Sequence, residues 1–270
     1  MIESAHRSPP HKGAYIFPNL LTAGNLFAGF YAIVTAMNLH FERAAVAIII
    51  AAFMDGLDGK IARMTGTSSR FGVEFDSLAD LVSFGVAPAL LVYIWELKAF
   101  PRIGWVAAFL FVACGALRLA RFNVQVGTTE KRWFTGLPIP MAGGTLAVTV
   151  LFFLHLQAGG REISGILFVL LTYLLSFLMV STVRYRSFKE LETRPHKAFY
   201  LLVSAVIVIS LVAIHPQYAL FTLAALYLIS GPLEPVVLFA LGRRASRPTR
   251  PTRVPDDSHH RHQHREGQLP

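Results

Sequence analysis

This 270-residue sequence contains few charged residues, and this is the most informative of the features that it lacks. Asp, Glu, Lys and Arg together make up 15% of the residues, whereas soluble domains contain about 25%. A chain with so few charged residues has little surface that suits water. Hydrophobic residues make up 54% of the chain, and several apolar runs approach the ~20 residues that a helix needs to cross a bilayer. The sequence therefore predicts an integral membrane protein.

Cysteine is almost absent, since Cys114 is the only one in the chain. A single cysteine excludes an intrachain disulfide. Because Cys114 lies within an apolar run, we interpret it as a small packing residue rather than as a nucleophile. Repeats are absent as well: no period of 20 to 50 residues recurs, which argues against a solenoid or an array of repeats.

The apolar stretches predict an all-α fold, a polytopic bundle of about eight transmembrane helices. They divide the chain into a segment 1–14, a transmembrane domain 15–241 and a tail 242–270. The tail is rich in His, Arg and Pro and poor in apolar residues, so we expect it to be disordered. The predicted spans are residues 16–38, 43–64, 76–97, 103–123, 138–157, 163–183, 197–214 and 217–241.

The formal net charge of +9 is compatible with either nucleic acid or anionic lipid as a partner. A basic tail beside a bilayer is attracted to anionic headgroups, so we expect membrane lipids and no nucleic acid. If the N-terminus is cytoplasmic, Lys and Arg concentrate in the loops on that side. The opposite loops then hold only Arg43, Lys98, Arg102 and Arg161. This bias predicts that both termini are in the cytoplasm.

Four aspartates occur in the stretch 55–80, which joins the second and third predicted spans. Asp55 and Asp58 are three residues apart, and Asp76 and Asp80 are four apart, so each pair shares one helix face. A carboxylate within a membrane helix costs about 2.5–3.5 kcal/mol, and we expect cations to neutralise a group of four. If the two helices are antiparallel neighbours, all four carboxylates converge. Oxygen ligands favour Mg²⁺ or Mn²⁺, and four carboxylates suffice for two ions that share ligands.

Small and basic residues accompany these acids. Gly56 and Gly59 allow a bulky ligand to approach the backbone, while Arg63 and Arg70 suit the binding of phosphate. The acids can bind metal, the arginines can bind phosphate, and the glycines give a ligand access to the backbone. Together these features indicate phosphoryl-type chemistry. A cation-coupled transporter is the rival of a different class, because acids within membranes are common there. Transporters, however, tend to place their sites between paired repeats near the midplane.

The stretch 55–80 resembles the signature of the CDP-alcohol phosphatidyltransferase family, D-x2-D-G-x2-A-R-x8-G-x3-D-x3-D. The resemblance extends over roughly residues 15–180 and implies a helical bundle with a polar active-site cavity that opens to the cytoplasm. It further implies a homodimer in a bacterial inner membrane. The residues that fill the fixed positions of the signature are Asp55, Asp58, Gly59, Ala62, Arg63, Gly72, Asp76 and Asp80.

The resemblance implies a role for each aspartate. Asp55, Asp58 and Asp76 are expected to bind one metal ion, and Asp55, Asp76 and Asp80 the second. Asp80 is also expected to act as the catalytic base that deprotonates an alcohol. Pro18–Thr22 resembles the entry segment of the family, although a Pro-Asn pair before a helix is also ordinary capping. The residues expected at the CDP-linked lipid are Asn19, Thr22, Gly59, Ala62, Arg63, Ser69 and Gly72.

Two further segments, Arg118–Asn123 and Phe134–Pro140, resemble those of family members that use serine. The resemblance therefore implies transfer of the phosphatidyl group from CDP-diacylglycerol to L-serine. Arg118, Arg121 and Asn123 are the candidate acceptor-binding residues, because the two arginines suit the serine carboxylate. The same arginines are compatible with simple anchoring of a helix end in the cytoplasm. A phosphatidylglycerophosphate or inositol-phosphate-type synthase stays open, since those acceptors carry a phosphate that arginine also binds.

Overall fold

The computed structural model describes residues 16–65, 69–125, 133–158, 165–186 and 209–240, together with 203, 206 and 207. Within these residues the fold is a bundle of α-helices. Four helices are long and apolar enough to cross a membrane, and a fifth apolar helix, Ile166–Val180, is shorter. The prediction of a polytopic all-α bundle is therefore confirmed. The predicted segment 1–14, the tail 242–270 and half of the predicted span 197–214 lie outside the described residues.

The connection between α1 and α2 and the one between α4 and α5 are short and are described in full. The chain divides into a compact unit, Met1–Glu234, and a second unit, Pro235–Pro270; of the second, the structure describes only residues 235–240. The helical elements are α1 Ile16–Met37, α2 Phe41–Thr65, α3 Arg70–Asp80, a π-helical segment Leu81–Val86, α4 Ala87–Trp95, a short 3₁₀ turn Leu97–Ala99, α5 Ile103–Gln125, α6 Ile139–Ala158, α7 Ile166–Val180 and α8 Pro216–Ala240.

The predicted spans agree with the helix bounds to within three residues, with one exception in the described part of the chain. The third span was predicted to begin at residue 76, whereas α3 begins at Arg70. Ser69 is the N-cap of α3, and its Oγ accepts a hydrogen bond of 3.0 Å from the backbone N–H of Gly72. The predicted bound was wrong because the hydropathy rule responds to apolar residues and not to a capping side chain.

Helix α1 and helix α2 form a tight hairpin. Leu39 adopts a left-handed backbone conformation with φ of 61°, and the backbone N–H of His40 donates to the carbonyl of Thr35 at 2.9 Å. Small residues allow the two helices to pack closely, and several of them are fully buried. These are Ala32, Ala36, Ala44, Ala45 and Ala51. The hairpin places the far end of α1 beside the start of α2.

The π-helical segment Leu81–Val86 lies at the centre of the bundle. It joins α3 and α4 into one membrane-spanning helix, Arg70–Trp95, and α1, α5 and α6 pack against it. Two glycines permit this approach. A Cβ atom on Gly29 of α1 would lie 2.6 Å from Ser83 Cα, and one on Gly143 of α6 would lie 2.6 Å from the Phe84 carbonyl oxygen.

A small antiparallel ribbon connects the loops after α5 and α7. Strand β1, Trp133–Thr135, pairs with strand β2, Arg184–Arg186, and Phe134 is opposite Tyr185. Next to the ribbon, Gly136 has φ of 84° and its backbone N–H donates to the Val183 carbonyl at 2.8 Å. These bonds fix the end of α5 relative to the end of α7.

Candidate active site

Three carboxylates from two helices meet at one point. Asp55 lies on α2, and Asp76 and Asp80 lie one turn apart on α3. Each offers an oxygen atom, and these three oxygens are within 4.8 Å of one another. The fold brings them together because α1 packs against both α2 and α3. This is the clustering of acids that the spacing in the sequence predicted.

Asp58, the fourth predicted ligand, lies outside this set of three. It is 3% exposed, and its Oδ2 accepts a hydrogen bond of 2.9 Å from the Thr22 hydroxyl of α1. Its charge nevertheless acts on both Asp76 and Asp80. The structure thus gathers three of the four carboxylates and places the fourth beside them, and its role as a ligand stays a prediction.

The carboxylate set fits a divalent cation. Asp80 is 8% exposed, and Oδ1 of Asp76 is buried and lacks a hydrogen-bond partner in the structure. Buried oxygens of this kind are costly unless a hydrogen bond or a cation compensates for the lost water. Three or four carboxylate oxygens without a nearby thiolate suit a hard ion such as Mg²⁺ or Mn²⁺. The residues present therefore match the predicted chemistry of the site.

Asn25 of α1 is a site residue that the sequence analysis missed. It is fully buried, and its Nδ2 donates to Oδ1 of Asp80 at 3.2 Å. The backbone carbonyl oxygen of Asn25 accepts a hydrogen bond of 2.9 Å from the Ser83 hydroxyl in the π-helical segment. A signal was present in the sequence: Asn19, Thr22 and Asn25 recur every three residues on an otherwise apolar helix, which places them on one face.

Three of the residues expected at the CDP-linked lipid lie together at the start of α3. They are Asn19, Ser69 and Gly72. A Cβ atom on Gly72 would lie 3.2 Å from Ser69 Oγ and 3.3 Å from Asn19 Oδ1. The side chains of Ala62 and Arg63 lie outside what the structure describes, although both residues belong to α2. Gly59 is half-buried on the same helix.

Arg118, one of the three acceptor candidates, interacts electrostatically with Asp80. It is 8% exposed, its Nε has no hydrogen-bond partner in the structure, and its guanidinium is attracted by the charge of Asp80. Tyr227 of α8 also interacts electrostatically with it. A buried cation with an unused donor beside the carboxylates is suited to an anionic ligand.

Arg121 and Asn123 make contacts that hold α5 in place. Arg121 Nη1 donates to the Val180 carbonyl at the end of α7 at 3.2 Å. Asn123 Nδ2 donates to the Ser77 hydroxyl at 3.0 Å and to Glu74 Oε2 at 3.4 Å, both on α3. The structure therefore places these two residues one to two turns beyond Arg118, at the cytoplasmic end predicted for α5.

Comparison with known proteins decides the family. A sequence model of CDP-alcohol phosphatidyltransferases matches residues 15–182. The chain belongs to this family. The match includes all four aspartates, Asn25 and Arg118, whereas α8 lies beyond it. The family assignment from the sequence is thereby confirmed, and with it the assignment to an enzyme family that generally depends on divalent metal.

Curated relatives cover most of the chain. The CDP-diacylglycerol–serine O-phosphatidyltransferase of Helicobacter pylori (strain ATCC 700392 / 26695) is 41% identical over 82% of this chain and 92% of its own length. The protein of the same name from Bacillus subtilis (strain 168) is 36% identical over 64% of this chain and 91% of its own. The archaetidylserine synthase of Methanothermobacter thermautotrophicus is 39% identical over 62% of this chain and 68% of its own.

Proposed function

We propose that the protein transfers the phosphatidyl group of CDP-diacylglycerol to L-serine and releases phosphatidylserine and CMP. The observation that carries this proposal is the 41% identity with a serine O-phosphatidyltransferase over 82% of the chain. The site supports it independently, since a carboxylate set that fits metal lies beside a buried arginine. That combination suits a donor with a diphosphate and an acceptor with a carboxylate.

Asp55, Asp58, Asp76 and Asp80 would hold two divalent ions, Mg²⁺ or Mn²⁺. Such ions, when bound, neutralise the diphosphate of the donor and stabilise the negative charge on the departing CMP. The chain itself fixes the carboxylates: Thr22 holds Asp58 and Asn25 holds Asp80. These bonds keep the ligands in place before the donor binds, which lowers the cost of reorganisation.

The chemical step is a direct displacement at phosphorus. The serine hydroxyl oxygen forms a bond to the lipid-linked phosphorus, and the bond from that phosphorus to the oxygen of CMP breaks. Asp80 accepts the hydroxyl proton, because a neutral alcohol is a poor nucleophile and requires a base. Asp80 suits this role because Asn25 fixes its Oδ1. Correct positioning of donor and acceptor supplies much of the remaining rate enhancement.

The donor and acceptor would lie on opposite sides of the carboxylates. We assign Arg118 to the serine carboxylate, and Arg121 and Asn123 to the surrounding wall. The acyl chains would enter from the bilayer, and the cytidine would lie near the start of α3. The residues assigned to the CDP-linked lipid are Asn19, Thr22, Gly59, Ala62, Arg63, Ser69 and Gly72.

The bias in Lys and Arg supports an orientation with both termini and the active site in the cytoplasm, and the bacterial relatives support a location in the bacterial inner membrane. Four apolar helices of membrane-spanning length are consistent with that location. We also propose a homodimer, which is implied by the family. Mass measurement of the protein in detergent distinguishes a dimer from a monomer.

The acceptor is tested by offering alternatives to one preparation. Purified protein with CDP-diacylglycerol and Mg²⁺ or Mn²⁺ receives labelled serine, glycerol 3-phosphate or inositol phosphate, and CMP and labelled lipid are measured. We expect CMP and labelled phosphatidylserine with serine alone. Product from either phosphorylated acceptor, but not from serine, would refute the serine assignment. Cation flux without acceptor-dependent CMP release would instead indicate a transporter.

The identity of the donor lipid is a separate question, because one relative carries the name archaetidylserine synthase. A CDP-linked ether lipid and CDP-diacylglycerol present the same diphosphate and cytidine to the site. Parallel assays with the two donors and serine determine the preference. We expect the diacyl donor to give the higher kcat/KM, since the relative with 41% identity is named for it.

A further inference from the structure

A groove between α1 and α2 begins beside the carboxylates. It is a cavity of about 620 Å³, and at its inner end Met54 lies against Gly24, where a Cβ atom would be 3.1 Å from Met54 Sδ. Met54 precedes Asp55, and Gly24 precedes Asn25, which bonds to Asp80. The inner end of the groove is therefore one residue, along each helix, from Asp55 of the carboxylate set and from Asn25, which holds Asp80.

The groove has the chemistry and the length of a site for one acyl chain. Its lining is apolar except for Glu42 and Arg43, the two charged residues at its outer end. From Met54 to Glu42 the groove follows twelve residues of α2, or about 18 Å. Glu42 and Arg43 lie in the first turn of α2, the end that the Lys and Arg bias places on the side opposite the cytoplasm, so the groove runs from the carboxylates toward that surface. An apolar chain about 18 Å long, with its polar end at the carboxylates, matches these dimensions.

The open side of the groove faces outward from the bundle. Phe27, Tyr31, Val46 and Ile50 line it and are all exposed, as is expected of residues in contact with lipid tails. A chain can therefore enter sideways from the bilayer without crossing the bundle. At the outer end, an acyl chain that is too long would reach the charged side chains of Glu42 and Arg43, where apolar groups are disfavoured.

We propose that the groove between α1 and α2 binds one acyl chain of the CDP-linked lipid and that Glu42 and Arg43 limit the chain length accepted. This inference rests on the proposed function, because it assumes a CDP-linked lipid as donor. It adds a selection among donors by their chain length. The residues that define the groove are Gly24, Phe27, Val46, Ile50 and Met54, with Glu42 and Arg43 at its end.

The test compares long and short donors in one variant. Val46 is 42% exposed and lies eight residues from Met54, about 12 Å along α2. Val46→Trp should fill the groove beyond the reach of an octanoyl chain but within the path of a palmitoyl chain. We expect the ratio of kcat/KM for CDP-dipalmitoylglycerol to that for CDP-dioctanoylglycerol to fall at least about tenfold. This corresponds to lost contact with two or more methylenes at about 0.8 kcal/mol each.

Val34→Trp is the matched control, because Val34 of α1 is 39% exposed and does not line the groove. In Val34→Trp, the ratio of kcat/KM for the long donor to kcat/KM for the short donor should equal that of the unmodified protein. An unchanged ratio in Val46→Trp, or an equal fall in Val34→Trp, would overturn the proposal. Serine-dependent CMP release from CDP-dioctanoylglycerol tests the proposed function separately, since that donor does not need the outer groove.

Photolabelling of the unmodified protein gives a readout that does not depend on activity. A CDP-diacylglycerol with a diazirine at the middle of one acyl chain should label peptides 24–31 and 42–54, and excess CDP-dipalmitoylglycerol should suppress the labelling. Labelling confined to other helices would refute the assignment. Equal suppression of the labelling by phosphatidylethanolamine would show that the groove binds bulk lipid, and it would refute the proposal. A change of oligomeric state in Val46→Trp, with no labelling of the groove in the unmodified protein, would show a protein interface and would also refute the proposal.

Discussion

Polar side chains of α1 organise the carboxylates at the scale of single residues. Thr22 donates to Asp58, and Asn25 donates to Asp80, so a helix without acids or bases holds two acidic residues of its neighbours. Such bonds are valuable inside a membrane, where water is not available to satisfy a carboxylate. The first helix is therefore part of the candidate active site as well as a candidate membrane span.

Replacement of Asp80 by asparagine should nearly abolish turnover while donor binding persists. The substitution keeps the shape of the side chain but removes the base, and general base catalysis contributes about 10²- to 10⁴-fold. CMP release at saturating serine measures the loss, and retention of labelled CDP-diacylglycerol measures binding. Glu96→Gln is the control, because Glu96 lies past the opposite end of the helix Arg70–Trp95. Full activity of Asp80→Asn would eliminate Asp80 as the base.

Arg118→Leu should raise the KM for serine about tenfold or more, with a much smaller change in the KM for the donor. Arg118 is buried and has an unused donor, and hydrogen bonds to charged groups are worth about 1.5–3 kcal/mol. Steady-state kinetics with each substrate varied in turn separates the two constants. Arg102→Leu, at the other end of α5, should leave both unchanged. A rise confined to the donor KM would reassign Arg118 to the diphosphate.

The sequence predicted the clustering of acids but not the residues that fix them. The four-residue spacing of Asp76 and Asp80 places them on one helix face, and their approach to Asp55 was predicted only on the assumption that the two helices are neighbours. The spacing does not reveal that α1 packs against both helices, and Asn25 was missed for that reason. Asp58 was grouped with the others because three-residue spacing gives a shared face, whereas its hydrogen bond to Thr22 depends on tertiary packing.

At the scale of secondary-structure elements, the π-helical segment Leu81–Val86 sets the geometry of the site. It begins directly after Asp80, and Ser83 within it bonds to the backbone of Asn25. Segments of π-helix within α-helices are frequently found at functional sites. Gly29 and Gly143 let two neighbouring helices approach this segment. The position of Asp80 relative to α1 therefore depends on close packing at the glycines.

Gly29→Ala should lower both stability and activity. Its new Cβ atom would meet the Ser83 backbone at 2.6 Å, and the backbone cannot move aside as a flexible side chain can, so α1 must shift away from Asp80. Overpacking of this kind typically costs about 1–3 kcal/mol. Thermal unfolding in detergent and CMP release measure the two effects. Gly144→Ala, where the added atom meets nothing within 4 Å, should be tolerated; equal losses in both variants would contradict this account.

The helix bounds were largely predictable, and the ribbon was not. Hydropathy located six spans to within three residues, because long apolar runs dominate this chain. The early start of α3 depends on one capping side chain, Ser69. Strands β1 and β2 contain three residues each and pair across about fifty residues of sequence. Periodicity cannot be recognised in segments so short.

At the scale of the whole molecule, the residues that match the family model include the candidate active site. The matched residues 15–182 contain the carboxylates, the residues of α1 that hold them and Arg118. Helix α8 lies beyond that region, yet its Tyr227 interacts with Arg118. The later part of the chain thus contributes to the surroundings of Arg118, the residue that we propose binds the acceptor. Fold class and family were predictable from composition and one signature, whereas this contact required the structure.

The most direct test of the account measures serine-dependent CMP release before and after removal of divalent metal. Purified protein with CDP-diacylglycerol and L-serine is assayed as prepared, after treatment with EDTA, and after addition of excess Mg²⁺ or Mn²⁺. If Asp55, Asp58, Asp76 and Asp80 hold the ions that the reaction needs, EDTA should abolish CMP release and added metal should restore it. Full CMP release and phosphatidylserine synthesis in EDTA would contradict the account.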